Sequence, residues 1–176
     1  MLKPAIEKAL NKQVNEEFYS AYLYLSMSAH FKAINLPGVA NWFRVQVQEE
    51  IVHAMKIYDF ILGRGGRVTL DAVAAPETKL KSPLAAFQAG YKHERHITGC
   101  INALVDLAIK QSDHAMNTFL QWFVTEQVEE EANADAIVQK LKLVGDNTSA
   151  LFMVDQELAA RVFVPPAAPG PGAPGA

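Results

Sequence analysis

The chain has one cysteine, Cys100, in 176 residues. A disulfide framework and a paired CxxC metal module are therefore excluded, and a reducing compartment is expected. Long apolar runs are missing as well. None approaches the roughly 20 residues that cross a bilayer, so no membrane partner is expected. The opening Met1-Leu2-Lys3-Pro4 has no signal-type apolar stretch, and a cytoplasmic location is expected. Positive charge is not in excess: 16 bases face 19 acids, for a formal net charge of −3. That balance argues against a nucleic-acid partner, which would meet a basic face. Strand-like alternation with β-branched clusters is also absent, so the fold class is expected to be all-α. What is present is a chain half apolar and one fifth charged, long enough for one real core.

Four long segments carry helical periodicity. The first spans residues 4–32, with the stripe Ile6, Leu10, Gln13, Glu17, Ala21, Tyr24, Ser28. The second spans 39–62, with Phe43, Val47, Glu50, Ala54, Ile57, Ile61, and stops at a glycine-rich break, 63–66. The third starts at Pro83, just after the capping candidate Ser82, and carries Leu84, Phe87, Tyr91, Glu94, Thr98, Ile101, Val105, Ala108. The fourth carries Met116, Leu120, Phe123, Gln127, Glu130, Ala134, Ile137, Leu141, and ends at Gly145. A shorter fifth helix is predicted from 148 to about 161. The expected domain is 1–164, followed by a disordered Pro/Gly/Ala tail at 165–176.

Connector lengths set the topology. The first and third breaks are short and join antiparallel neighbours. A helix of about 28 residues is roughly 42 Å long. The middle connector of about 16 residues reaches about 55 Å when extended, enough to run the length of the bundle. A four-helix bundle with one long crossover follows.

Each stripe is interrupted near mid-helix by a polar, metal-capable side chain. Glu17, Glu50, Glu94, Gln127 and Glu130 stand where the spacing of 3 and 4 calls for core residues. His53 follows Glu50 by three, and Glu130 follows Gln127 by three, so each pair shares a helix side. Glu17 to Glu50 is 33 residues, as is Glu94 to Gln127, and the two pairs are offset by 77. Buried carboxylates at one height would repel strongly unless protonated or compensated. A bound cation is the natural compensation. Mostly hard oxygen with one imidazole favours Fe, Mn or Zn, and a carboxylate-bridged pair of ions best uses this many ligands.

This constellation resembles the non-haem ferritins of prokaryotes, over about residues 3 to 163. Ferritin-like di-iron proteins carry two glutamates plus Glu-x-x-His on each of two further helices. Here the second Glu-x-x-His is Gln127-Val128-Glu129-Glu130, a departure shared with ferritins rather than bacterioferritins. The resemblance implies that Glu17, Glu50 and His53 hold one iron. It implies that Glu94 and Glu130 hold a second, with Glu50 bridging and Gln127 beside it as ligand or hydrogen-bond donor. Tyr24 matches the family's tyrosine next to the centre, an electron donor; on the stripe alone it reads equally as core. Glu49, Glu126 and Glu129 match a third iron site sharing Glu130, although without the resemblance they read as solvated charges. The short fifth helix matches the one that packs at a symmetry axis of a 24-subunit shell. The implied activity is ferroxidase: Fe²⁺ is oxidised by O₂ or H₂O₂, and ferric mineral is stored inside a homo-oligomer.

Several residues read more plainly. Glu131, His93 and His96 are expected at the surface, His30 and His114 near helix ends, and Cys100 as a small core residue. One alternative is a rubrerythrin-like di-iron peroxidase without storage, which usually adds paired CxxC motifs that Cys100 alone cannot supply. Haem is not expected, because the position after the bridging glutamate is Ile51 where a haem-bearing bacterioferritin has methionine. A purely structural assembly module would leave the buried carboxylates unexplained.

Overall fold

A computed structural model of the chain describes residues 2–76 and 80–165. They form five helices and no strand: α1 (Pro4–Ala33), α2 (Pro37–Gly63), α3 (Pro83–Lys110), α4 (His114–Val144) and α5 (Thr148–Ala159). The predicted all-α bundle with a short fifth helix is therefore the fold. The predicted tail lies, from residue 166 on, outside the described residues. No helix among the described residues is long and apolar enough to cross a membrane.

Local chemistry fixes the helix ends. Prolines open α1, α2 and α3, where a missing N–H loses no bond. Ser82 Oγ accepts from Ala85 N at 3.1 Å and starts α3. Asp113 and Asn147 start α4 and α5 in the same way, each at 3.0 Å. At the end of α2 the chain turns through Gly65 at φ 68°, and Gly66 N donates back to Ile61 O at 2.9 Å. Only glycine adopts that conformation without strain.

The crossover runs beside α1. Asn11 donates to Arg67 O and accepts from Thr69 N, and Asn15, one turn on, donates to the carbonyls of Asp71 and Ala72. The chain thus returns to the start of α2, and α3 runs parallel to it. At the far end Arg64 grips Asp113 through both carboxylate oxygens, at 3.0 and 3.1 Å, tying the end of α2 to the start of α4.

The core is divided in two. One apolar cluster holds Met27, Phe31, Val39, Phe43, Phe87 and Leu141, with Val154 and Leu158 of α5. The other holds Ile6, Leu10, Ile57, Ile101, Met116 and Leu120. Each draws on all four long helices, and the mid-helix polar residues lie between them. Helix α5 closes the first end. The buried carboxylate of Asp155 accepts from Val39 N at 2.8 Å, supplying the cap that α2 lacks locally. The approach is so close that a Cβ on Gly38 would lie 1.6 Å from the Asp155 carbonyl oxygen.

Candidate metal centre

Glu17, Glu50, His53, Glu94, Gln127 and Glu130 form a polar waist between the apolar clusters, and none is more than 7% exposed. Glu17 sits about one turn of α1 from Val14 of one cluster and one turn from Ala21 of the other, so its depth follows from helix period alone.

Inside the waist the donors converge. Glu17, Glu50 and His53 each place one ligand atom within 4.8 Å of the others. His53 Nδ1 stands 3.4 Å from Glu50 Oε2. Glu17 Oε1 accepts from Gln13 Nε2 at 2.9 Å, while Glu17 Oε2 is buried with no hydrogen-bond partner. An orphaned carboxylate oxygen beside a second carboxylate and an imidazole suits a first-row divalent cation. Glu94 accepts from the Tyr24 hydroxyl and from Gln127 Nε2 at 3.4 Å. Gln127 also donates to the Glu94 carbonyl at 3.2 Å. Glu130 Oε2 accepts from Gln46 Nε2 at 2.9 Å. Among the described residues, Glu94 and Glu130 do not join a comparably tight group of three donors.

The electrostatics are those of acids waiting for a positive charge. Burial, then the charges of Glu94, Glu17 and Glu130, drives the Glu50 carboxyl well above its ordinary 4.5. Glu94 and Glu130 are pushed up to about 7, with burial the main cause. Burial raises Glu17 as well, against the opposing pull of His53 and the Gln13 amide. Tyr24 stacks on Phe43 at 5.8 Å, and burial beside Glu94 and Glu50 holds its phenol well above 10.

Glu49, Glu126 and Glu129 meet at a neighbouring cavity of about 110 Å³, whose wall includes His53 and Glu130. The three acids thus line one cavity beside the waist, although among the described residues their carboxylates form no tight group of three donors. Arg161 also lines this cavity, donating to Glu49 Oε2 at 2.7 Å with its guanidinium over Trp42.

Three surface and core expectations need correction. His93 is half-buried: α1 covers it, Ser20 Oγ stands 2.7 Å from its Nε2, and burial lowers its pKa to about 4. Cys100 is not core but half-buried, because it lies on the side of α3 that faces a groove. Glu131 is partly covered and accepts from Thr98 Oγ1 at 2.6 Å. His96 and His114 are exposed, as expected. Sequence reading missed Gln13 and Gln46 as partners of the carboxylates. Gln13 stands four residues before its partner Glu17, one helical turn away, which is the signal that could have found it; Gln46 meets Glu130 across 84 residues of chain. Arg161 had no such signal.

Residues 7–144 match the ferritin-like domain family. The bacterial non-heme ferritin of Bacteroides fragilis is 40% identical over 161 residues, covering 92% of this chain and all of that one. That of Staphylococcus saprophyticus is 40% identical over 163 residues, covering 93% and 98%. An open pore ferritin from the archaeon Archaeoglobus fulgidus superposes with a TM-score of 0.91 at 51% identity, covering 92% of this chain and all of that one. A form of the same ferritin engineered to be closed gives 0.92 at 51%, covering 93% and 100%. The likeness spans all four long helices, and the chain belongs to the ferritin family.

Proposed function

We propose that this chain stores iron, taking Fe²⁺ as substrate, oxidising it at the waist and depositing ferric mineral inside a shell of its own copies. The observation that carries this reading is the buried group Glu17, Glu50 and His53, with its orphaned carboxylate oxygen. Glu94 and Glu130 complete a place for a second ion, with Glu50 shared between the two. Gln127 holds Glu94 in position, and its amide nitrogen is already engaged there.

Each Fe²⁺ gives up one electron. O₂ taking two electrons and two protons leaves as H₂O₂, and H₂O₂ used as oxidant leaves as two waters. Oxygen-rich ligation favours the ferric state, which is how the donor set drives the reaction. Burial makes Glu50, Glu94 and Glu130 prefer their protons, so metal entry displaces protons from them. Tyr24, hydrogen-bonded to Glu94, stands where it can supply a further electron: two Fe²⁺ at the waist, a third in the adjoining cavity and Tyr24 together give the four electrons that, with four protons, take O₂ to two waters. Glu49, Glu126 and Glu129 line the adjoining cavity and offer a third iron site on the way out. Arg161 neutralises Glu49 there and is the group a cation would displace. The exposed Leu143, Phe152 and Met153 fit burial against neighbouring copies, with 24 subunits the expected number.

Anaerobic protein loaded with Fe²⁺, exposed to air and passed over a sizing column tests this. Hundreds of irons per particle, co-eluting near the mass of 24 subunits, is the expected result. A monomer or dimer holding two irons would defeat the storage reading and leave a di-iron peroxidase. Replacing Glu50 by Ala is expected to abolish rapid oxidation.

A further inference from the structure

Outside the waist, α1 and α3 enclose an open groove of about 490 Å³, whose wall includes Lys12, Gln13, Glu16, His96 and Cys100. Three different donors converge in it. His96 Nε2 stands 3.2 Å from Glu16 Oε2 and 3.6 Å from Cys100 Sγ, and all three ligand atoms lie within 4.8 Å of one another. His96 and Cys100 are four residues apart on α3, so one helix face presents both. Glu16 comes from α1, and Lys12 holds its other oxygen at 3.8 Å, leaving Oε2 for the groove.

One cation placed among the three ligand atoms would be held by all of them, and the distances suit one. A tetrahedral zinc with ordinary bond lengths sets nitrogen and oxygen ligands about 3.3 Å apart, and nitrogen and sulfur about 3.5 Å apart.

We propose that Glu16, His96 and Cys100 form a separate metal site in the α1–α3 groove, taking a borderline-soft divalent cation of the zinc class. The thiolate sets its selectivity apart from the oxygen-rich waist. Three protein ligands leave a fourth position open to the groove, as in sites where zinc keeps a water. The side chain of His96 is 55% exposed, so the site is reachable without opening the bundle. The waist lies behind it: Gln13 lines the groove and donates to Glu17 on the other side.

Cobalt(II) is the probe. The full-length protein, kept reduced without added thiol, is titrated anaerobically with Co²⁺. A sulfur-to-cobalt charge-transfer band saturating at one ion per chain, bleached by Zn²⁺, is expected. The chain has a single thiol, so the band reports Cys100 alone. His96→Ala and Glu16→Gln are each expected to weaken Co²⁺ binding at least tenfold at this band. Glu50→Ala, which disables the waist, is expected to leave the band in place. Absence of the band overturns the site. So does a band whose affinity neither His96→Ala nor Glu16→Gln changes, since that is a thiol binding alone.

Discussion

Glu50 holds the sharpest conflict in the molecule: it is 2% exposed and faces three other carboxyls. Glu50→Gln keeps its shape and removes a group that must take up a proton to be buried. The metal-free variant is expected to melt higher, by about 2–4 °C for each kcal/mol of that cost, while losing rapid iron oxidation. Thermal melts of the metal-free protein, set beside ferric absorbance after Fe²⁺ addition, check both halves. A native melting point above that of the variant would contradict the conflict. Tyr24→Phe takes a donor from Glu94 but leaves every proposed ligand. It is expected to bind Fe²⁺ normally and to lack the tyrosyl radical that rapid-freeze electron paramagnetic resonance should find in the native protein. The waist acids were legible because each breaks an apolar stripe at a constant spacing. Gln46 was not, since a lone glutamine one turn from Glu50 has many plain explanations. Arg161 was not, since it reaches Glu49 across 112 residues of chain.

The helix boundaries were readable within a few residues because Pro83 follows Ser82, Pro4 opens the chain's first helix, and a glycine-rich break ends the second. The fifth helix stops at Ala159, short of the predicted 161, and the freed Arg161 turns to Glu49. Asp113 serves two elements, capping α4 at Met116 N and pairing with Arg64 beyond α2. The Arg64 hydrogen bonds hold its carboxyl below the ordinary 3.8, against the effect of burial. A carboxylate whose pKa is depressed by folding stabilises the fold fully above about 3.8 and stops doing so as pH falls through the depressed value. Asp113→Asn keeps the cap but weakens the Arg64 pair, and is therefore expected to lose about 1 kcal/mol at neutral pH, with the difference closing in strong acid. Denaturant titrations at the two pH values check it. Gly38→Ala must push α5 away from α2, because its methyl would overlap the Asp155 carbonyl. A loss of about 1–3 kcal/mol, with faster proteolysis around α5, is expected.

At the scale of the whole molecule, metal and fold are coupled. A ligand that binds only the folded state at a hundred times its Kd adds about 2.7 kcal/mol. Anaerobic Fe²⁺ is thus expected to raise the melting point by about 5–10 °C, and Glu50→Gln to remove most of that rise. Scanning calorimetry with and without Fe²⁺ measures it. The bundle and its crossover were legible from stripe positions and connector length. The groove holding Glu16, His96 and Cys100 was not, since those residues lie off the stripes and meet only when α1 and α3 pack. Each apolar cluster sets the register of all four long helices by itself, so the stretch between them is fixed from both ends. A substitution there leaves the register of the helices as it is. One residue inserted between Val14 and Ala21 would turn the two ends of α1 against each other by about 100°. The donors of the waist can be exchanged without moving the helices, but the number of residues that span it cannot change.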